Sequence, residues 1–346
     1  HQNPDLVKPA LGPKEPWAYR NKMQMPVGGT KGDIQMGFYA MGSHDIVQGT
    51  NCPIQDEGNN IIAQACYQIA KEFDIEPYDE HTGKGVLRHV IGRIGQSGWM
   101  IILVTATEHL PHQEKWVEKL TERVPQVETI VHNVNGKRTN VILGPKNSVL
   151  YGDGTITDHI KDLRFTLSPH SFFQVNPEQT TVLYDQALAY ADLKGTEIVI
   201  DAYCGTGTIS LFLAHKAKHV IGIEIVEPAI TNARENAQRN GYDNTEFIVA
   251  DAAVEMPKLY KAGVRPDVIV FDPIRAGCKE EVLTSAAGME PKRIVYVSCN
   301  PATMARDIEI LTHYGYELQE VQPVDMFPMT AHVEAVALMS KVNPKK

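Results

Sequence analysis

The stretch Glu197-Ile-Val-Ile-Asp201-Ala-Tyr-Cys204-Gly-Thr-Gly207-Thr-Ile-Ser210 runs from a short apolar segment through an acid and a glycine pair into a helical pattern. A brief apolar run bounded by turn residues reads as a buried strand. Gly205 and Gly207 permit a tight turn and let the backbone approach a ligand closely at the start of the next helix. Strand, glycine turn and helix make the opening βα unit of an open α/β sheet. Further apolar strands are expected at about 219–224, 245–249, 267–271 and 293–298, each followed by a helical segment. That alternation predicts a parallel sheet with helices on both faces. The end differs: 316–325 and 333–340 are two strands with no helix between them, so they should pair antiparallel at one edge.

Five βα units capped by a hairpin give the layout of a class I (Rossmann-like) methyltransferase sheet, assigned here to residues 166–346. In such sheets ligands bind beyond the carboxyl ends of the strands. The first strand ends in Asp201-Ala-Tyr-Cys-Gly-Thr-Gly, the second in Glu224, the third in Asp251, the fourth in Asp272-Pro-Ile-Arg275 and the fifth in Ser298-Cys299-Asn300-Pro301. The interiors are plain Ile, Val and Phe. A G-x-G turn also opens nicotinamide-binding folds, but the third glycine of that fingerprint is replaced by Ser210. Glu224 suits a ribose diol in either fold. Asp251 at the third strand end suits the adenine amino group of S-adenosylmethionine and tilts the reading toward a methyl donor.

Residues 1–165 read as a β-rich α+β unit with two helices, near 57–73 and 112–124. One hairpin is expected from 86–94 and 99–106, and another from 127–134 and 139–143 around Asn135-Gly136. The chain of 346 residues has net charge −9, and residues 1–165 carry 17 Lys and Arg against 19 Asp and Glu. Phosphate contacts need clustered cations, so a polyanion would have to meet a local patch. Lys14, Arg20, Lys22, Lys31, Arg88 and Arg93 are the residues available for one. Cys52, Cys66, Cys204, Cys278 and Cys299 are odd in number and scattered, which argues for free thiols and against a disulfide framework or a CxxC metal site. With no signal peptide in the first residues and no apolar run of about 20 residues, a cytoplasmic location without membrane association is expected. No stable protein partner is inferred. The chain opens on His and not on an initiator Met, which leaves open whether a segment upstream was removed.

Cys299 carries the sharpest chemistry. Carbon 5 of uracil is a poor nucleophile; a thiolate adding at carbon 6 creates an enolate that can attack an activated methyl group, after which a base removes the carbon 5 proton and the thiol leaves. Asn300 as N-cap and Pro301 as first residue predict a helix over 301–313, so Cys299 should sit at a helix N-terminus that favours its thiolate. Arg275 suits contact with a carbonyl-bearing base or a phosphate rather than an exocyclic amine. Glu334, at the head of the apolar run Val-Glu-Ala-Val-Ala-Leu-Met, is either a solvated strand start or an inward carboxylate; as the latter it is a base, with His332 on the same face the weaker alternative.

Together, Ser168-Pro-His-Ser-Phe-Phe-Gln-Val-Asn176-Pro, Asp201-Ala-Tyr-Cys-Gly-Thr-Gly, Phe271-Asp-Pro-Ile-Arg-Ala-Gly277-Cys, Tyr296-Val-Ser-Cys-Asn-Pro301 and Asp325-Met-Phe-Pro-Met-Thr-Ala-His-Val-Glu334 are recognisable. The chain resembles the RNA (uracil-5-)-methyltransferase family over residues 14–340, and within it the 23S ribosomal RNA enzymes. The resemblance implies Cys299 as nucleophile and Glu334 as proton acceptor. It assigns Gln174, Tyr203, Glu224 and Asp272 to the methyl-donor site, beside Gly205 and Asp251, with Asp272 close enough to the base to help position it. It departs from the family at Ile274, where a second proline is usual. Many relatives carry an N-terminal β-barrel (TRAM) RNA-binding domain and some a four-cysteine iron–sulfur cluster; neither is visible, and no cluster is expected. The alternatives are a transfer RNA uracil-5 enzyme, a methyltransferase acting on an amine or on cytosine carbon 5, and an RNA-binding assembly factor that keeps the fold without activity.

Overall fold

The computed structural model describes residues 3–342, which divide into two compact units. The first comprises residues 15–159 and 165–171, the second residues 3–14, 160–164 and 172–342.

The first unit is built on a seven-stranded sheet. Its strands are β1 (Lys22–Thr30), β2 (Asp33–Tyr39), β3 (Ile46–Gln48), β4 (Leu87–Ile94), β5 (Trp99–Thr105), β6 (Val127–Val134) and β7 (Lys146–Tyr151), in the order β3-β2-β1-β4-β5-β6-β7. Helices α1 (Glu57–Glu72) and α2 (Gln113–Arg123) contribute buried apolar residues to its core: Ile62, Cys66 and Ile69 from α1, Trp116 and Leu120 from α2. β4 and β5 pair antiparallel as expected, and α2 is the crossover that makes β5 and β6 parallel.

The second expected hairpin is corrected. β6 pairs antiparallel with β7, not with 139–143. Residues 135–145 instead form a loop held by buried side chains. Asn135 Nδ2 donates to the Val141 and Ile142 carbonyls, and Arg88 Nη1 donates to the carbonyls of Asn135 and Lys137. Once side chains satisfy those carbonyls, no ladder is needed there.

β8 (Ile156–Ile160) and β9 (Leu163–Leu167) form a two-stranded ribbon. The second unit follows with α3 (Pro177–Ala191), β10 (Ile198–Asp201), α4 (Thr208–Ala214), β11 (His219–Glu224), α5 (Glu227–Arg239), β12 (Thr245–Val249), α6 (Ala252–Lys261), β13 (Val268–Phe271), α7 (Glu280–Gly288), β14 (Arg293–Ser298), α8 (Pro301–His313), β15 (Tyr316–Val324) and β16 (Glu334–Lys341). The sheet order is β12-β11-β10-β13-β14-β16-β15. The first five strands are parallel, and β16 enters antiparallel between β14 and the edge strand β15. This is the Rossmann-like methyltransferase sheet with an antiparallel C-terminal hairpin.

Residues 3–14 belong with this second unit. Val7 and Leu11 bridge to Val321 and Val324, with Lys8 N donating to the Val321 carbonyl at 2.9 Å and Leu11 N to Pro323 at 3.0 Å. The segment covers backbone groups of β15 that an edge strand would otherwise leave open. Among the described residues no helix is long and apolar enough to cross a membrane.

Candidate active site

β10 lies between β11 and β13, and β14 between β13 and β16, so the chemistry-bearing strand ends fall on one rim of the second unit. The topological switch point of the sheet lies between β10 and β13, where the strand order reverses.

The glycine turn after β10 is open where it must be. Gly205 has φ +53°, and a Cβ there would meet nothing within 4 Å; Gly207, at φ +81°, would place one 3.1 Å from Ala233 and 3.2 Å from the Phe247 ring. The first glycine therefore leaves space above the backbone, and the second packs the turn against α5 and β12. Glu224, at the end of β11, accepts from Gly205 N at 3.3 Å and Val226 N at 2.9 Å, one bond to each oxygen. Lone pairs remain for a ligand diol. Asp251 caps α6 by accepting from Ala253 N at 2.9 Å and pairs with Lys279 Nζ at 2.8 Å. The bond from Lys279 is the leading cause that holds its carboxyl below the usual range. Asp201 is wholly buried with Oδ2 accepting from Ser210 Oγ at 2.6 Å, and burial raises its carboxyl to about 6. Gln174 is buried in the segment before α3. Tyr203 is half-buried, with a hydroxyl engaged with the Cys278 thiol. An open glycine turn, an acceptor-rich carboxylate beside it and a second one on the next strand fit the ribose and adenine ends of S-adenosylmethionine.

On the other side of the rim, Ser298 of β14 lies opposite Ala335 of β16. Cys299 follows the first and Glu334 precedes the second, so the register sets thiol and carboxyl side by side. Glu334 is 4% exposed, which identifies it as an inward carboxylate rather than a solvated strand start. Burial pushes its carboxyl up to about 7, opposed by the Arg275 guanidinium. Asp272, at the end of β13, is raised well above its ordinary value by burial, by Glu334 and by Asp201.

The Cys299 thiol departs from expectation. It does lie directly before α8, whose cap is the one read from the sequence: Asn300 Oδ1 accepts from Ala302 N at 3.2 Å and Pro301 is the first helical residue. Yet burial and the Glu334 charge push the thiol above its ordinary value, against a hydrogen bond and charge from Arg275. Desolvation of a thiolate and a neighbouring carboxylate together outweigh one guanidinium.

Arg275 is held by its backbone. Its carbonyl accepts from Asn300 Nδ2 at 2.9 Å and Thr303 Oγ1 at 3.2 Å, while its exposed guanidinium reaches His332 Nδ1 at 3.5 Å. His332 is exposed and lies before the start of β16, so it does not share a strand face with Glu334. Ile274 is 77% exposed, and its carbonyl accepts from Gly277 N at 2.8 Å, closing the turn without a second proline.

Two residues that support this loop escaped sequence reasoning. Asp307, wholly buried in α8, accepts from Cys278 N at 2.7 Å and from the Tyr296 hydroxyl; Arg306 donates to the Ala276 carbonyl at 2.9 Å. Gly277, at φ +78°, lies in the left-handed region that favours glycine, and a Cβ there would lie 2.5 Å from Arg306 Nη2 and 2.6 Å from Asp307 Oδ2. An acid on the buried face of a helix was the available signal. Asn176 was legible only as a cap: its Oδ1 accepts from Gln179 N, and its Nδ2 donates to the Met326 carbonyl at 3.1 Å, tying α3 to the loop that leads into β16.

The basic residues of the first unit are corrected in part. Arg88 and Arg93 are each 3% exposed and serve internal carbonyls, Arg93 bonding that of Ser171, so they are not surface cations. Lys31 pairs with Asp74.

Fold and rim together define an S-adenosylmethionine-dependent methyltransferase. The chain belongs to the tRNA (uracil-5-)-methyltransferase family, whose pattern residues 100–342 match. An uncharacterized RNA methyltransferase of Halalkalibacterium halodurans is 52% identical over 97% of this chain and 74% of its own length. One from Clostridium acetobutylicum is 50% identical over the same shares. The crystal structure of the Pyrococcus abyssi tRNA (uracil-54, C5)-methyltransferase in complex with S-adenosyl-L-homocysteine is similar at TM-score 0.79 and 27% identity, covering 95% of this chain and 78% of that one.

Proposed function

We propose that this protein methylates carbon 5 of uridine in 23S ribosomal RNA, with Cys299 as nucleophile and Glu334 as proton acceptor. The observation that carries the reading is the pairing of β14 with β16, which sets a half-buried thiol beside a buried carboxyl whose proton affinity lies near neutrality.

In this mechanism Arg275 stabilises the Cys299 thiolate, which adds to carbon 6 of the uracil and leaves an enolate with nucleophilic carbon 5. S-adenosylmethionine supplies the electrophilic methyl group, held by Gln174, Tyr203, Gly205, Glu224, Asp251 and Asp272. Glu334 then takes the carbon 5 proton, and the carbon–sulfur bond breaks to restore the thiolate. A base with a pKa near the working pH suits that transfer. Asp272, whose proton affinity is raised by burial and by the Glu334 charge, helps position the uracil. Arg275 takes the remaining carbonyl or a phosphate. Action on ribosomal RNA, with free cysteines, also supports a cytoplasmic location.

A second reading is favoured by the Pyrococcus abyssi relative, which acts on uracil 54 of transfer RNA. The two separate on one measurement. Unmodified 23S ribosomal RNA and transfer RNA transcripts are incubated with the enzyme and methyl donor, digested, and analysed for nucleosides. The expected product is 5-methyluridine from the ribosomal transcript. The same product from transfer RNA alone replaces the substrate assignment, and 5-methylcytidine or a methylated adenosine overturns the chemistry.

A further inference from the structure

We infer that the first unit carries a base-stacking platform for single-stranded RNA: the stacked rings of Tyr39 and His44, fixed by Glu80, receive an unpaired base, and Lys84, Lys137 and Arg138 on the adjoining loops take the phosphates beside it. This rests on the RNA substrate of the proposed function and places no demand on the catalytic rim.

The platform is built from a hairpin and a turn. β2 ends at Tyr39, which is paired with Ile46 of β3, and the loop between them is closed by Ala40 N donating to the Asp45 carbonyl at 2.8 Å. That loop brings the His44 ring back over Tyr39, with ring centroids 5.0 Å apart and 23° between the planes. Glu80 fixes both rings with one carboxylate. Its Oε1 accepts from the Tyr39 hydroxyl at 3.3 Å, and its Oε2 bonds His44 Nδ1. The turn that carries Glu80 is closed on itself: Asp79 accepts from His81 N and from the Thr82 hydroxyl, each at 2.8 Å, and Gly83 N donates to the Asp79 carbonyl at 2.8 Å. A carboxylate with one oxygen committed to each ring holds the pair in place before any ligand arrives.

The hydrophobic core does not require this arrangement. Tyr39 is 38% exposed and the His44 side chain 61%, so with one face of His44 against Tyr39 the other is left to solvent. An open aromatic face is what an unpaired base stacks on, and tyrosine and histidine are among the side chains that receive one. Cations adjoin it. Arg138 Nη2 donates to the Thr82 carbonyl, and its guanidinium covers Gly83, where a Cβ would come 2.5 Å from Nη2 and 2.7 Å from Nε. The loop of Lys137 and Arg138 is thereby tied to the turn of Glu80 and Lys84. Lys84, Lys137 and Arg138 are exposed and form no ion pair among the described residues, whereas Asp79 and Glu80 are engaged within the cluster. A chain of net charge −9 needs such a local excess of free cations to hold RNA.

The test uses the full chain and an oligouridylate with one central 2-aminopurine, whose fluorescence is quenched on stacking; binding is read by anisotropy at several salt concentrations and methylation of the ribosomal transcript in parallel. The wild-type protein is expected to quench the probe. His44→Asn keeps a donor for Glu80 and loses the ring, so affinity should fall about tenfold and the quench should vanish. Tyr39→Phe keeps the ring and loses the donor, so affinity should stay within about twofold. Lys84→Gln and Lys137→Gln should each lower the salt slope by about 1, and Lys31→Gln, outside the cluster, should change nothing. KM for the transcript should rise in His44→Asn while kcat stays within about twofold. A pin that only fastens the hairpin gives the reverse order: Tyr39→Phe melts earlier, while His44→Asn keeps the wild-type melting temperature and binds and quenches like the wild type. That result overturns the platform, as does a wild-type complex in which the probe is not quenched. Should His44→Asn melt early, His44→Phe decides, since a ring without the donor restores the quench if stacking is the role and leaves it lost if it is not. If the quench depends on His44 yet no 5-methyluridine forms, the proposed function fails and the platform stands.

Discussion

Cys299 and Glu334 impose opposite electrostatic demands on each other. An ionised Glu334 raises the thiol, and an ionised thiol raises the carboxyl, so the two protons are coupled and Arg275 is the charge that eases both. The rate kcat/KM should therefore climb with pH through about 7 as Glu334 ionises, and continue upward as the thiol does; a profile flat from pH 6 to 9 contradicts this. Glu334→Gln should cut kcat by about 10²- to 10⁴-fold, the usual worth of a general base. The same substitution should stabilise the fold. With a native pKa near 7 against an ordinary 4.5, the native state holds the proton longer than the unfolded chain, so stability falls as pH rises from about 4.5 to 7 and stays lower above it. Glutamine removes that penalty, on the order of 3 kcal/mol at pH 8 and close to nothing at pH 4. Denaturant melts at the two pH values measure the difference.

At the scale of elements, the β14–α8 junction does two jobs with one side chain. Asn300 accepts from the helix through Oδ1 and donates to the Arg275 carbonyl through Nδ2. Asn300→Asp keeps the acceptor and loses the donor, so stability should change by less than about 1 kcal/mol while kcat falls by about tenfold as the Arg275 loop loosens. Equal losses in Asn300→Asp and Asn300→Ala, tracking stability alone, contradict the bracing role. The parallel strands and their helices could be read from sequence within a residue or two because apolar runs, glycine turns and cap residues coincide there. The stretch 139–143 could not, since what keeps it out of the sheet is Arg88, about fifty residues away, bonding carbonyls that local pattern leaves free. Of the site, Cys299, Arg275 and the cofactor-side acids were visible as strand-end residues. The inward face of Glu334 became visible through the β14–β16 register, and the brace from Asp307 through tertiary contact, neither of which leaves a local signature. The thiol's raised affinity for its proton is likewise a property of neighbours and burial rather than of the helix it precedes.

At the scale of the whole molecule, each unit has its own buried core, and the rim proposed to hold the methyl donor belongs to the second. S-adenosylhomocysteine at about 100 times its Kd should add about 2.7 kcal/mol of stability. Hydrogen exchange should slow around 201–208, 222–226 and 250–253, with residues 22–39 unaffected. Glu224→Ala should abolish that protection while leaving the first unit unchanged. Protection spread evenly over both units contradicts the placement of the donor. The central claim is the covalent role of Cys299. RNA in which 5-fluorouridine replaces uridine cannot lose its carbon 5 substituent as a proton, so turnover should stop at the carbon–sulfur adduct. Incubation with this RNA and S-adenosylmethionine, followed by digestion and mass spectrometry, should find the methylated fluoronucleotide on Cys299, and none in Cys299→Ala. An active enzyme that forms no adduct, or one that forms it on another residue, contradicts the account.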